Sequence, residues 1–145
     1  MKKLLLIPII LLLAACGNSS AINKDFPDNR WAKTDAQTFK IDVSEDGGSR
    51  IEVFFSFVSG PQFTEIPVSI DITAPDGSST LMTVNLDLTG KAPDSKLDCA
   101  GDVCDLRTVL KSKTALVKGT YTITIKNNFK GEYVPNVLAV GVFVE

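Results

Sequence analysis

Cysteines and aspartates are the residues of this sequence whose chemistry could be functional, and histidine is absent from all 145 positions. The cysteines are Cys16, Cys99 and Cys104. Without histidine, the commonest general base and metal ligand is missing. The sequence also has no Gly-x-Ser-x-Gly motif and no glycine-rich phosphate-binding loop. We therefore predict a non-enzymatic protein with no catalytic residues, no bound metal and no cofactor.

Cys16 closes an amino-terminal segment that is typical of a secretory signal. Two lysines precede the apolar run Leu4 to Leu13, and two alanines separate that run from Cys16. The run is too short to span the roughly 30 Å core of a bilayer. This order matches the lipobox of bacterial lipoproteins, although an ordinary signal peptide with an incidental cysteine is the alternative. We predict that residues 1–15 are removed and that Cys16 carries lipid, palmitate included, which anchors the chain to a membrane.

Cys99 and Cys104 lie close together in a chain that is predicted to be exported to an oxidising compartment. We predict a disulfide between them, because the spacing does not favour a redox pair or a zinc site. Four aspartates lie between Asp94 and Asp105, and such an acidic loop could bind calcium. The spacing differs from the EF-hand pattern. It favours a solvated acidic loop that the disulfide constrains.

The elements that must position these residues show the period of β-strands. From residue 38 onward apolar and polar residues alternate, β-branched and aromatic residues dominate, and no segment has a convincing helical period. Turn signals at residues 46–48 and 74–77 indicate antiparallel hairpins. We predict an all-β fold that is an antiparallel β-sandwich of about seven to eight strands. A jelly roll is one form that such a sandwich could take. The clearest strands cover 39–43, 51–57, 68–73, 82–88, 103–109, 121–125 and 138–144.

The length of the chain after the signal fits one domain. We divide the sequence into a signal peptide at 1–15, a lipidated amino-terminus and tether at 16–36, and a β-sandwich domain at 37–145. Phe26 and Trp31 interrupt the tether, so they either pack back on the domain or contact a partner. Removal of the leader leaves a formal charge of −4, which argues against nucleic acid as a partner.

Phe54 and Phe143 fall on the face that their strand neighbours leave to solvent. Either another strand covers them, or they form an exposed patch for a partner protein. We therefore expect other envelope proteins to bind at a sheet edge or at this face. The alternative is a lipid-anchored periplasmic binding module for a glycan or small ligand, which aromatic residues around Trp31 or Tyr133 would favour.

After the lipobox the sequence has, in order, Trp31, Thr38 to Ile41, Pro75 to Gly77, the segment from Gly90 to Gly101, Lys118 to Ile123, and Val137 to Val142. In this order of features the sequence resembles the GldH family of gliding-motility lipoproteins. The resemblance implies a non-enzymatic role in the envelope machinery for gliding and its associated secretion. The central segment departs from the family, which tends to have glycine and tryptophan where this chain has Asp98 through Cys104.

Sorting signals follow the lipobox. Asn18 stands two positions after Cys16, where an aspartate would signal retention in the inner membrane. No acidic residue falls in the first few positions after Cys16, where signals for export to the cell surface usually carry one. We predict an outer-membrane lipoprotein that faces the periplasm.

Overall fold

The computed structural model describes residues 20–47, 49–110 and 116–145, and these segments form an antiparallel β-sandwich. No helix that could cross a membrane occurs within those ranges. The all-β prediction is confirmed, with eleven described strands in place of the seven or eight expected. They are β1 (Ser20–Asp25), β2 (Arg30–Ala32), β3 (Gln37–Val43), β4 (Ile51–Val58), β5 (Glu65–Thr73), β6 (Ser79–Asp87), β7 (Ser95–Ala100), β8 (Val103–Val109), β9 (Gly119–Asn127), β10 (Tyr133–Pro135) and β11 (Val137–Val144).

Two sheets enclose the core. The first has five strands in the order β1-β11-β4-β8-β7, and the second has four in the order β3-β9-β5-β6. The short strands β2 and β10 pair with each other. Alternate residues of β3 and β9 are buried, as the period of two predicts. Strands β4 and β11 instead bury consecutive residues, because they lie inside the five-stranded sheet and have a paired strand on each side.

The predicted boundary at residue 37 is wrong. Strand β1 pairs with β11 from Ser20 opposite Val144 to Asp25 opposite Ala139, so the residues assigned to the tether form part of the five-stranded sheet. Trp31 is fully buried and its ring stacks on Phe26 at a centroid distance of 5.9 Å. These two rings therefore pack back on the domain, and the sandwich includes the residues from Ser20 onward. The signal peptide and Cys16 lie outside the described residues.

The two predicted hairpin turns have different outcomes. The turn at 74–77 joins neighbouring strands β5 and β6, and Gly77 has the positive φ (+84°) that such a turn requires. The segment 46–48 does not form a hairpin, because β3 and β4 belong to different sheets. There the Gly47 backbone N–H donates to the Leu116 carbonyl oxygen at 3.0 Å, and residue 48 lies outside the described residues.

The segment from Asp94 to Asp105 is a hairpin of two strands and not an acidic loop. Strands β7 and β8 pair along its length, and Gly101 turns between them with φ of +60°. Cys99 lies directly opposite Cys104, and the two form the predicted disulfide. The pairing fixes the direction in which each aspartate of the hairpin points.

Candidate functional site

The candidate site is the outer face of the five-stranded sheet, the side that points away from the core. Phe54 on β4 lies opposite Gly141 on β11 and Arg107 on β8, so these three positions share one face. Phe143 lies two residues beyond Gly141 and points to the same side. The face therefore carries an aromatic pair and an arginine at the middle of the sheet.

Phe54, Phe143 and Arg107 form a compact cluster, which we call the aromatic–arginine patch. The rings of Phe54 and Phe143 pack edge to face with their centroids 5.6 Å apart. The Arg107 guanidinium carbon lies 4.1 Å from the centroid of the Phe143 ring, in a cation–π arrangement. Both rings remain half-buried. No strand in the described part of the chain covers them, so the expectation of a covering strand is wrong and a surface patch is present.

Gly141 gives the edge strand β1 its close approach to this face. A Cβ atom at Gly141 would lie 2.6 Å from the Ile22 carbonyl oxygen and 2.8 Å from the Asn23 Cβ. Any side chain at this position would therefore push β1 away from β11.

Beside the patch lies a groove of about 500 Å³ that is lined mainly by charged residues. Arg50 Nε donates to Glu52 Oε1 at 2.9 Å, and Arg50 Nη2 donates to Glu145 Oε2 at 2.5 Å. The hydrogen bond with Glu145 and the charges of both carboxylates raise the pKa of Arg50. The Glu52 side chain is nearly buried, and Arg50 supplies the counter-charge that such a position needs. The groove is lined by Arg50, Glu52, Pro93, Asp94, Ser95, Lys96, Arg107, Val109 and Glu145.

The β7–β8 hairpin continues this face with two rows of charge. Lys96 lies directly opposite Arg107, and Asp98 lies directly opposite Asp105. These four side chains surround a smaller pocket of about 130 Å³. Within the described ranges, no group of three or more acidic, cysteine or histidine side chains is placed to hold a metal ion.

The sequence model of the GldH lipoprotein family matches residues 20–144, a span that contains all eleven described strands. The chain belongs to the GldH lipoprotein family. This membership confirms the resemblance noted in the sequence and identifies the chain as a GldH-like lipoprotein. A comparison with curated proteins finds no match.

The residues of this GldH-family chain that the sequence analysis selected have different positions in the structure. Cys16 lies outside the described residues, whereas Cys99 and Cys104 are joined at the end of the β7–β8 hairpin. Trp31 has no exposed surface on which a sugar could stack. Tyr133 is 37% exposed, but the Arg30 guanidinium lies over its ring at 4.8 Å. The aromatic residues that would favour a glycan site are therefore buried or already stacked.

Arg107 and the Arg50–Glu52–Glu145 group were missed in the sequence. Arg107 is 36 residues from Phe143, and Arg50 is 95 residues from Glu145. Strand alternation gives the face on which each side chain lies, but it does not give the order of strands in a sheet. Alternation places Arg50 and Glu52 on one face, but no local signal could have brought Arg50 to Glu145 or Arg107 to Phe143.

Proposed function

We propose that this chain is a non-enzymatic component of the envelope machinery for gliding motility and its associated secretion, and that it acts by binding other envelope proteins. Membership of the GldH lipoprotein family supports the assignment to that machinery. The observation that carries the binding role is the Phe143 ring held between Phe54 and Arg107 on the outer face. Aromatic residues and arginine are enriched at the buried centres of protein interfaces. A stable complex on this face would bury about 1,200 to 2,000 Å².

The start of β1 supports an anchor close to the domain. Strand β1 begins at Ser20, so residues 17–19 alone separate the sandwich from Cys16. Four extended steps of the chain span at most about 14 Å. With lipid on Cys16, the domain would sit against the membrane surface and not at the end of a long tether. We assign it to the outer membrane, facing the periplasm, because Asn18 does not provide the aspartate of inner-membrane retention.

Metabolic labelling with palmitate tests the anchor. Wild-type protein should carry the label and sediment with membranes. The Cys16→Ser variant should lose the label and be recovered in the soluble fraction. Retention of label in Cys16→Ser would contradict acylation at this residue.

A matched pair of surface variants tests the binding role. Phe143→Ser removes the centre of the patch, whereas Leu81→Ser changes a side chain that is 72% exposed on the other sheet. Cells that produce each protein are cross-linked, and co-purified envelope proteins are quantified by mass spectrometry. Wild type and Leu81→Ser should enrich the same motility and secretion proteins, and Phe143→Ser should lose them while its circular dichroism spectrum stays that of a folded sandwich.

Two results would contradict the proposal. Equal enrichment by Phe143→Ser would show that the patch is not the docking face. Enrichment of no envelope protein, together with a sugar-dependent thermal shift of the purified domain, would support a ligand-binding module instead.

In a gliding host, loss of the gene should stop surface movement, and wild type but not Phe143→Ser should restore it.

A further inference from the structure

Strand β7 leaves one edge of the five-stranded sheet open. Within the described residues it pairs with β8 on one side and with no strand on the other. Lys96 and Asp98 on its outer face are exposed, and so are Cys99 and Ala100. The Ser95 N–H already donates to the Ala92 carbonyl oxygen at 3.0 Å. The remaining free backbone groups of such an edge can pair with a strand from another molecule.

The charges on the β7–β8 hairpin form two rows, and each row holds two side chains of like charge. Lys96 faces Arg107 and Asp98 faces Asp105, so each row sets like charges directly opposite each other. Like charges at directly opposite positions are unfavourable. The described residues supply no counter-ion within 4.0 Å for any of the four side chains. If positions 96 and 98 were exchanged in sequence, both rows would become opposite-charge pairs.

An antiparallel second copy with the same edge strand would resolve both rows. We propose that β7 pairs with β7 of a second copy of this chain about a two-fold axis at Leu97. In this register Lys96 faces the partner's Asp98, and Asp98 faces the partner's Lys96. Each row then contains two positive side chains from one copy and two negative side chains from the other. On the inner face, half-buried Leu97 meets the partner's Leu97, so apolar surface covers apolar surface.

The register is specified by the same charges. A shift by one residue would place inner side chains opposite outer ones, which the sheet does not allow. A shift of the axis to Lys96 would set Lys96 against the partner's Lys96, and a shift to Asp98 would do the same for the aspartates. The axis at Leu97 is therefore the one position among these that is complementary on both faces.

The pairing has consequences for the assembly. It joins two five-stranded sheets into one of ten strands, with both β1 strands at the outer edges and away from the interface. Strand β7 has six residues, so the interface is small and of the weak, concentration-dependent kind. The dimer shares Arg107 with the patch but does not require the patch to bind another protein.

Single charge changes at the edge test the proposal without harming the monomer. In K96D the new carboxylate faces Arg107 of its own chain, and in D98K the new ammonium faces Asp105, so each change relieves one like-charge pair. At the interface each variant instead sets like charges against each other. Sedimentation velocity is measured from about 10 µM to 1 mM on the chain from Gly17 onward, which contains every described strand. Wild type should shift from monomer to dimer over this range, and each variant should associate at least about tenfold more weakly.

Mixing supplies the decisive control. An equimolar mixture of K96D and D98K should form a mixed dimer, because each carboxylate pair of one variant then faces the ammonium pair of the other. The double variant K96D/D98K should still self-associate, since its charges are exchanged but remain complementary. Wild type that stays monomeric at 1 mM, or single variants that dimerise as strongly as wild type, would overturn the proposal. If a strand of a different protein were the natural occupant of β7, wild type alone would stay monomeric.

Discussion

Trp31 provides the strongest test of how the domain is held together. Its side chain is fully buried, and its ring lies 5.9 Å from that of Phe26 and 6.3 Å from that of Phe55. The indole N–H donates to the Asp35 carbonyl oxygen at 2.7 Å. Because Phe55 belongs to β4 at the centre of the sheet, Trp31 connects the amino-terminal segment to the main core. We predict that Trp31→Ala destabilises the whole domain.

The magnitude follows from these contacts. Truncation of a buried tryptophan to alanine destabilises a protein by about 3–5 kcal/mol. The lost hydrogen bond adds about 1 kcal/mol, which gives about 4–6 kcal/mol in all. Small domains have total stabilities of about 5–15 kcal/mol, so the variant should be close to unfolding. Trp31→Phe keeps a buried ring and should lose a smaller part, whereas Leu81→Ala at an exposed position should change stability by less than about 0.5 kcal/mol.

Urea unfolding followed by circular dichroism measures these differences. Circular dichroism is the suitable probe because Trp31 is the single tryptophan, so its replacement abolishes the tryptophan fluorescence signal. The urea midpoint should fall in the order Leu81→Ala, Trp31→Phe, Trp31→Ala, with the slope of the transition unchanged. A loss below about 1 kcal/mol in Trp31→Ala would refute the reasoning, because residues 26–36 would then be dispensable for the cooperative core.

Three further predictions concern single positions. Asn127 donates from Nδ2 to two backbone carbonyl oxygens of β2 at 3.2 and 3.0 Å; Asn127→Ala should therefore lower the free energy of unfolding by about 1–3 kcal/mol in urea titrations, and an unchanged midpoint would contradict this. Gly141→Ala should displace β1, because its methyl group would overlap the Ile22 carbonyl oxygen; amide hydrogen exchange should accelerate in β1 before β9, and equal acceleration in both would count against local displacement. Two hydrogen bonds from Thr89 lower the pKa of Asp87 in the folded state, and the bond from the Thr89 side chain contributes more than the bond from its backbone N–H. The stability that the Asp87 carboxylate contributes is therefore present above the ordinary carboxyl pKa and is lost as pH falls through the lower folded-state pKa, so Asp87→Asn should flatten the acid limb of a plot of melting temperature against pH.

The sequence by itself determined the fold class and the chemistry of the cysteines. Alternation in β3 and β9 puts one face of each strand in the core, and this signal is local because successive side chains of a strand point to opposite sides. The proximity of Cys99 and Cys104 predicted their disulfide. The sequence also contained the resemblance to the GldH family, which the family match confirms.

The tertiary structure decided where the domain begins and what its surface presents. Strand β1 could not be read locally, because its one large apolar residue, Ile22, stays 41% exposed at the edge of the sheet. Arg107 and Phe143 meet because β11, β4 and β8 are neighbours, and neighbours in a sheet are set by backbone pairing between distant segments. Alternation determines the face of the sheet to which each side chain points, whereas strand order determines which side chains of other strands lie beside it. That order is a property of the whole chain, and so are the patch and the charge rows that depend on it.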